Sequence, residues 1–122
     1  MTKMRVLIVD DSPLSREVLR RTLELDPRLT VAGEAKTGEE AVSQVRLLKP
    51  HLITMDLNMP GMGGMAAAEQ LRQEWPAVPI SLLTANVQTA TRERAAALGL
   101  GFVEKPITEA RIATLLATLT AA

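Results

Sequence analysis

Four short stretches of the sequence carry side chains whose chemistry is complementary: Asp10 with Asp11, Asp56, Thr84, and Lys105. Carboxylates gathered in one place repel, which raises at least one pKa unless a cation compensates. Magnesium suits them, because it is a hard ion that takes oxygen ligands and usually keeps several waters. Asp11 and Asp56 would ligate directly and Asp10 directly or through water, beside a backbone carbonyl. Calcium would want more oxygens in a more enclosing acidic loop, and this chain has none. A carboxylate-held metal becomes a phosphoryl-transfer site when there is also a nucleophile and something to hold the remaining phosphoryl oxygens. Asp56 is the candidate nucleophile, since a carboxylate accepts a phosphoryl group as an acyl phosphate. Lys105 offers a point charge and Thr84 a hydroxyl, while Ala85 is small enough to leave an opening to the acceptor. Taken singly, each has a plainer reading: the aspartates as strand-end turn residues, Thr84 as a β-branched strand residue, Lys105 as a solvated charge.

The surrounding elements decide between those readings. Met4 to Val9 is an apolar, β-branched strand stopped by Asp10-Asp11, and Ser12-Pro13 is an N-cap with proline at the first helical position. Leu14, Val18, Leu19 and Leu23 then recur at helical spacing up to Asp26-Pro27, with Arg16 and Arg20 on another face. Leu29 to Ala35 is a weaker strand; Thr37-Gly38-Glu39-Glu40 is a capping box opening a helix that ends at Lys49-Pro50. The apolar run that begins at Leu52 is a buried strand that delivers Asp56 into a Pro/Gly-rich loop, and Met65 to Trp75 is its helix. Ile80 to Thr84 is the fourth strand. The helix from about Thr89 to Leu98 is alanine-rich, with only Ala95 and Leu98 as clear core candidates, so weak packing is expected. Gly101 to Val103 is a short last strand, and Ile112, Leu115, Leu116 and Leu119 mark a final helix starting near Thr108.

Five strands alternating with five helices imply an α/β fold, a five-stranded parallel sheet doubly wound into a (βα)5, flavodoxin-like three-layer sandwich over residues 1–122 as one domain. In such a sheet the ends at Asp10-Asp11, Asp56, Thr84 and Lys105 fall on one edge, where open parallel sheets gather their reactive groups. The 122 residues, 47% of them hydrophobic, suffice for a single core. Fourteen basic and fourteen acidic side chains cancel, so no global field favours nucleic acid or an anionic membrane. The absence of cysteine removes disulfides, zinc-thiolate sites and thiol nucleophiles. No apolar run is long enough to span a membrane, and the sequence reads as cytoplasmic.

Together these residues resemble the receiver domain of two-component response regulators over essentially the whole chain. The carrying motifs are Val-Asp-Asp at 9 to 11, Met-Asp-Leu-Asn-Met-Pro-Gly-Met at 55 to 62, Leu-Thr-Ala at 83 to 85 and Lys-Pro at 105 to 106. The resemblance implies that Asp56 is the phosphorylated aspartate, that Asp10 and Asp11 hold Mg2+, and that Asn58 lends it a backbone carbonyl. It further implies that Thr84 and Lys105 sense the phosphoryl group and that Phe102 is a rotameric aromatic following the threonine. The bond before Pro106 resembles one that is usually cis in this family. The implied partners are a histidine kinase or phosphotransfer protein as donor and a protein target as output. A monomer is expected, with dimerisation on phosphorylation left open.

Two departures stand out. Gly63 occupies a place where the family often has Asp, and nothing in the sequence explains it. Asn86 replaces an acid seen in some fast-dephosphorylating members; with Asn58 it would flank the path of attacking water. The stretch from Leu7 to Gly64 is most similar to chemotaxis regulators, including methylesterase receivers, although no esterase segment follows Ala122. The chain either works alone or is one piece of a larger protein.

A magnesium-dependent phosphatase with an aspartyl nucleophile is the enzymatic alternative, but such enzymes carry an acid where Asn58 stands. A non-phosphorylated interaction module is expected to have lost part of the acidic pair, Thr84 or Lys105. Flavin binding has only two aromatics to use and no glycine-rich loop after the first strand. The methionines at 55, 59, 62 and 65, without His or Cys nearby, read as packing rather than a copper site. His51 reads as a loop residue and Trp75 as a partly buried hydrophobe. Arg16, Arg20 and Arg21 form a solvated helix face by default, with Glu17 and Arg21 paired at four-residue spacing.

Overall fold

The computed structural model describes residues 3–57, 63–85, 88–105, 108, 110–113 and 115. Asn58, Asn86 and Pro106, together with Met59, Met62, Leu116 and Leu119, lie outside the described residues. Strands β1 (Met4–Val9), β2 (Leu29–Ala35), β3 (Leu52–Asp56), β4 (Ile80–Thr84) and β5 (Gly101–Glu104) form one parallel sheet in the order β2-β1-β3-β4-β5. Helices α1 (Pro13–Glu24), α2 (Gly38–Leu48), α3 (Gly64–Glu74) and α4 (Thr89–Ala97) alternate with the strands, and residues 110–113 and 115 are helical after β5. The strand order reverses direction between β1 and β3, and at that point the crevice above the carboxyl ends opens.

Strand alternation divides the core in two. Leu7, Val9, Ile53, Met55, Ile80 and Leu82 face α2, α3 and α4, where Ala41, Val45, Ala67, Ala68, Leu71 and Ala95 meet them. Val6, Ile8, Leu52, Leu83 and Val103 face the other way, onto Leu19 and Leu23 of α1 and onto Ile112 and Leu115. Each fully buried Leu or Ile contributes about 2 kcal/mol. Met55 is wholly buried and Met65 packs against the first cluster, as a packing role requires.

Local signals explain the helix ends. Ser12 accepts the amide of Ser15 at 3.2 Å, with Pro13 in the first turn of α1. Thr37 accepts the amide of Glu40 at 3.0 Å, and the Glu40 carboxylate reaches back to the amide of Lys36 rather than to that of Thr37. Lys49 closes α2 with φ at 46°, and the Arg5 guanidinium donates to the carbonyls of Leu48 and Lys49. His51 is an exposed loop residue whose Nδ1 accepts the amide of Arg5 at 2.9 Å, extending the pairing of β1 and β3. Trp75 caps α3 and packs against the first cluster. Helix α4 buries only Ala95 fully and has no side-chain cap, in keeping with its alanine-rich sequence.

One expectation fails at α1. Leu14, Val18, Leu19 and Leu23 share one apolar spacing, which predicts one buried face, yet Leu14 and Val18 are 71% and 51% exposed. Leu19 and Leu23, four apart, define the inward stripe; Leu14 and Val18 form a second row turned about 100° away. Arg16 and Arg20 also depart from a solvated face, because both bond the Glu34 carboxylate on β2 and Arg16 is only 14% exposed. The Glu17 and Arg21 pair forms as expected, at 2.6 Å.

Thr54 and Ser81 are register partners on β3 and β4, and both hydroxyls are buried without a hydrogen-bond partner. A buried hydroxyl left unmatched costs stability, so replacing it by a methyl removes a penalty. Thr54→Val is expected to raise the unfolding free energy by about 1 kcal/mol in urea titration. A destabilised Thr54→Val protein would show that the hydroxyl is satisfied in solution.

Candidate functional site

The carboxyl end of β1 delivers Asp10, which is 1% exposed. Its Oδ1 accepts the Ser12 amide at 2.9 Å, and its Oδ2 accepts the Ser15 hydroxyl at 2.6 Å and the Lys105 ammonium at 3.1 Å. Arg16 also donates to the backbone carbonyl of Asp10 at 2.8 Å, so the start of α1 fixes both ends of this residue. Burial pushes the Asp10 carboxyl up, but Ser15, Ser12 and Lys105 together outweigh it and hold the group below the ordinary aspartate value of 3.8. The neighbouring Asp11 is exposed.

Asp56 ends β3, 5% exposed, with one oxygen 3.4 Å from Lys105 Nζ. Carboxylate oxygens of Asp10, Asp11 and Asp56 all lie within 4.8 Å of one another. Three hard oxygen donors at that spacing fit a small divalent cation. The backbone after the site is equally constrained. A Cβ added at Gly64 would sit 2.1 Å from the carbonyl oxygen of Asp56, so only glycine lets α3 start this close to β3. Gly63, unexplained by sequence, has φ 81° and ψ 160°, a region essentially reserved for glycine, with nothing near its Cβ position. The requirement there is backbone shape, not side-chain contact.

Lys105 reaches the acidic group from the end of β5, the edge strand, its amide anchored on the carbonyl of Thr84 at 2.9 Å. Thr84 ends β4, buried, one residue past the register partner of Asp56, and its neighbours Leu57, Met65, Gln88 and Arg94 line a cavity of about 490 Å³ under α4. Ala85 is exposed and borders a groove with Leu14, Val18, Ser15 and Lys105 on the α1 side. Phe102 is half-buried against the α2, α3 and α4 core, with the Arg92 guanidinium 5.5 Å from its ring centroid. The structure thus gathers Asp10, Asp11, Asp56 and Lys105 into one pocket and sets Thr84 and Phe102 at its α4 side.

Ser15 and Arg16 were not foreseen as parts of this site. Their signal lay in position: both fall in the first turns of a helix capped at Ser12, and helical side chains lean toward the N-terminus, here over Asp10.

Fold and site define an α/β domain of the receiver kind, with an acidic pocket at the carboxyl edge of a parallel sheet. The chain belongs to the response regulator receiver domains of phosphoacceptor signal transduction: that family's model matches residues 6–117. Among curated relatives, a protein-glutamate methylesterase/protein-glutamine glutaminase of Carboxydothermus hydrogenoformans is 44% identical over 87% of this chain and 30% of its own length, and one of Syntrophus aciditrophicus is 41% identical over 88% and 32%. The chain therefore spans about a third of the length of these relatives. Among solved structures, the receiver domain of the response regulator NarL from Mycobacterium tuberculosis matches with a TM-score of 0.91 and 31% identity, covering 100% of both chains. The response regulator domain of Thermotoga maritima CheB matches at 0.79 and 29%, covering 98% of this chain and 91% of its own. No helix among the described residues is long and apolar enough to cross a membrane.

Two outcomes test this construction. Gly64→Ala is expected to cost about 3 kcal/mol in equilibrium unfolding, because backbone rather than a flexible side chain must give way; a near-neutral change would show that α3 can shift freely. The acid limb of stability follows from depressed carboxyls, since Asp10 lies below 3.8 and Asp26, bonded to Arg28, is lowered to about 2. A depressed folded pKa contributes stability present above about pH 3.8 and lost as pH falls through the folded value. Urea unfolding of metal-free protein should therefore weaken from pH 4 downward, and Asp10→Asn should flatten that decline; an unchanged slope would remove Asp10 as its source.

Proposed function

We propose that this receiver accepts a phosphoryl group on Asp56 from a phosphohistidine of a kinase or phosphotransfer protein, and that the adduct alters a partner-binding face in a chemotaxis-type pathway. The observation that carries the reading is the Lys105 ammonium, 3.1 Å from Asp10 and 3.4 Å from Asp56 in a pocket shared with Asp11. A cation already poised on the acceptor needs only a short excursion to reach the oxygens of an incoming phosphoryl group. The likeness to methylesterase receivers and to the CheB response regulator domain supports the pathway.

In this reading one Asp56 oxygen attacks phosphorus, the phosphorus–nitrogen bond of the donor breaks, and the histidine nitrogen leaves with the electron pair. Asp10, Asp11 and Asp56 would hold magnesium, with Asn58 adding its backbone carbonyl; the bound ion supplies positive charge against the developing phosphoryl charge. Lys105 moves from the carboxylates onto one phosphoryl oxygen, and the Thr84 hydroxyl donates to another. Ala85 would keep the approach open, and Asn58 and Asn86, which lie outside the described residues, would be the side chains beside the water that later hydrolyses the acyl phosphate. Displacement of Thr84 vacates room that Phe102 follows into, and the thinly packed α4 shifts with β5. No turnover of a separate substrate is proposed. The donor, the target and action in the cytoplasm are parts of the same proposal.

With magnesium and acetyl phosphate or beryllofluoride, the native protein is expected to form a stoichiometric adduct seen by mass spectrometry or 19F NMR. Chelation of magnesium and Asp56→Ala should each abolish it. An unmodified native protein, or an undiminished adduct in Asp56→Ala, would overturn the reading.

A further inference from the structure

We infer that Ser15 is a positioning residue for the acidic pocket, whose hydroxyl takes over the compensation of Asp10 when Lys105 leaves for the phosphoryl group. The inference rests on the phosphoacceptor reading of Asp56 and concerns how the pocket tolerates it. Asp10 Oδ2 has two donors, Ser15 Oγ at 2.6 Å and Lys105 Nζ at 3.1 Å, and the two donors are 3.5 Å apart. They share one oxygen, but they are not equivalent. Lys105 hangs on a long flexible stem and also faces Asp56 at 3.4 Å, so it can move. Ser15 cannot: its amide is tied to the Ser12 cap, and α1 is anchored by Arg16 on the Asp10 carbonyl and on Glu34.

Once Lys105 turns to the phosphoryl oxygens, Asp10 keeps the Ser12 amide on Oδ1 and the Ser15 hydroxyl on Oδ2. With Asp10 at 1% exposure, Oδ2 has little solvent to replace a lost donor, and with magnesium elsewhere in the pocket a buried carboxylate oxygen short of a donor still costs about one hydrogen bond to a charged group. Without the hydroxyl, Lys105 is the sole donor to Oδ2 among the described residues and is retained in its resting place. Ser15 therefore lowers the cost of releasing Lys105, and it acts through Asp10 without touching the phosphoryl group.

The test is a pair of titrations on the native protein, Ser15→Ala and Ser15→Thr. Magnesium binding alone, by calorimetry, leaves Lys105 on Asp10 and should differ by no more than about twofold among the three. Beryllofluoride binding at saturating magnesium, by 19F NMR, requires Lys105 to move. It should weaken about tenfold in Ser15→Ala, the scale of one hydrogen bond to a charged group, and recover in Ser15→Thr. Equal beryllofluoride affinities, an equal loss in both titrations, or failure of Ser15→Thr to recover overturns the role of Ser15 while the native adduct stands. A native protein that forms no adduct overturns the phosphoacceptor reading, and this inference with it.

Discussion

One ammonium suspended between two carboxylates organises the functional edge of this domain. Lys105 stands within 3.4 Å of both Asp10 and Asp56, and Asp11 adds a third carboxylate to the same pocket. Three carboxylates against one ammonium leave the pocket short of positive charge, which is the condition under which a divalent cation and a phosphoryl group can enter as a pair. The protein offsets part of that deficit in advance, through the Ser12 amide and the Ser15 hydroxyl on Asp10. Together with Lys105 they outweigh burial and hold the Asp10 carboxyl below the ordinary aspartate value.

The sheet's two-residue period explains why sensing and chemistry are separable. Val6 and Ile8 face α1, and Asp10 continues their row; Leu52 does the same for Asp56, and Val103 for Lys105. Leu82 and Phe102 belong to the opposite cluster, and Thr84 continues the row of Leu82 beside the cavity under α4. The ionic group therefore lies on the α1 side of the strand ends, while the side chains suited to report on it lie on the α4 side. Among the described residues the strand ends connect the two, through the Lys105 amide on the Thr84 carbonyl and the register of β3 with β4. A change of charge at Asp56 has a short mechanical route to α4.

Much of this was legible in the sequence because strand ends, caps and turn residues are local signals. Ser12-Pro13 and Thr37 to Glu40 begin helices where their side chains satisfy free amides, and each of the five runs read as strands became one. What escaped was non-local or conformational. Apolar spacing placed Leu14, Val18, Leu19 and Leu23 on a helix, but which row meets the sheet depends on how α1 is rotated. Part of that rotation is tied to Arg16 and Arg20 gripping Glu34, residues more than a dozen positions away. Gly63 looked like a missing side chain; its φ of 81° shows a backbone demand that residue identity alone cannot separate from a flexible loop.

The two flanks of the pocket differ in stiffness, and that difference suits a switch. At α1, Leu19 and Leu23 are buried, Ser12 caps the helix, and Arg16 ties it to both Asp10 and Glu34. At α4, Ala95 alone is buried, and the outer contacts are an Arg94 to Glu69 pair and Arg92 over Phe102. Exposed pairs of these kinds contribute roughly 0.2–1 kcal/mol each, small beside the several kcal/mol that two buried leucines give α1. In the proposed reading, a charge added between flanks of such unequal anchorage displaces the weaker one. On that reading the carboxylates can keep their positions while α4 responds, because Ser12, Ser15 and Arg16, which hold Asp10 beside Lys105, belong to the start of α1, whereas Thr84 and Phe102 lie toward α4.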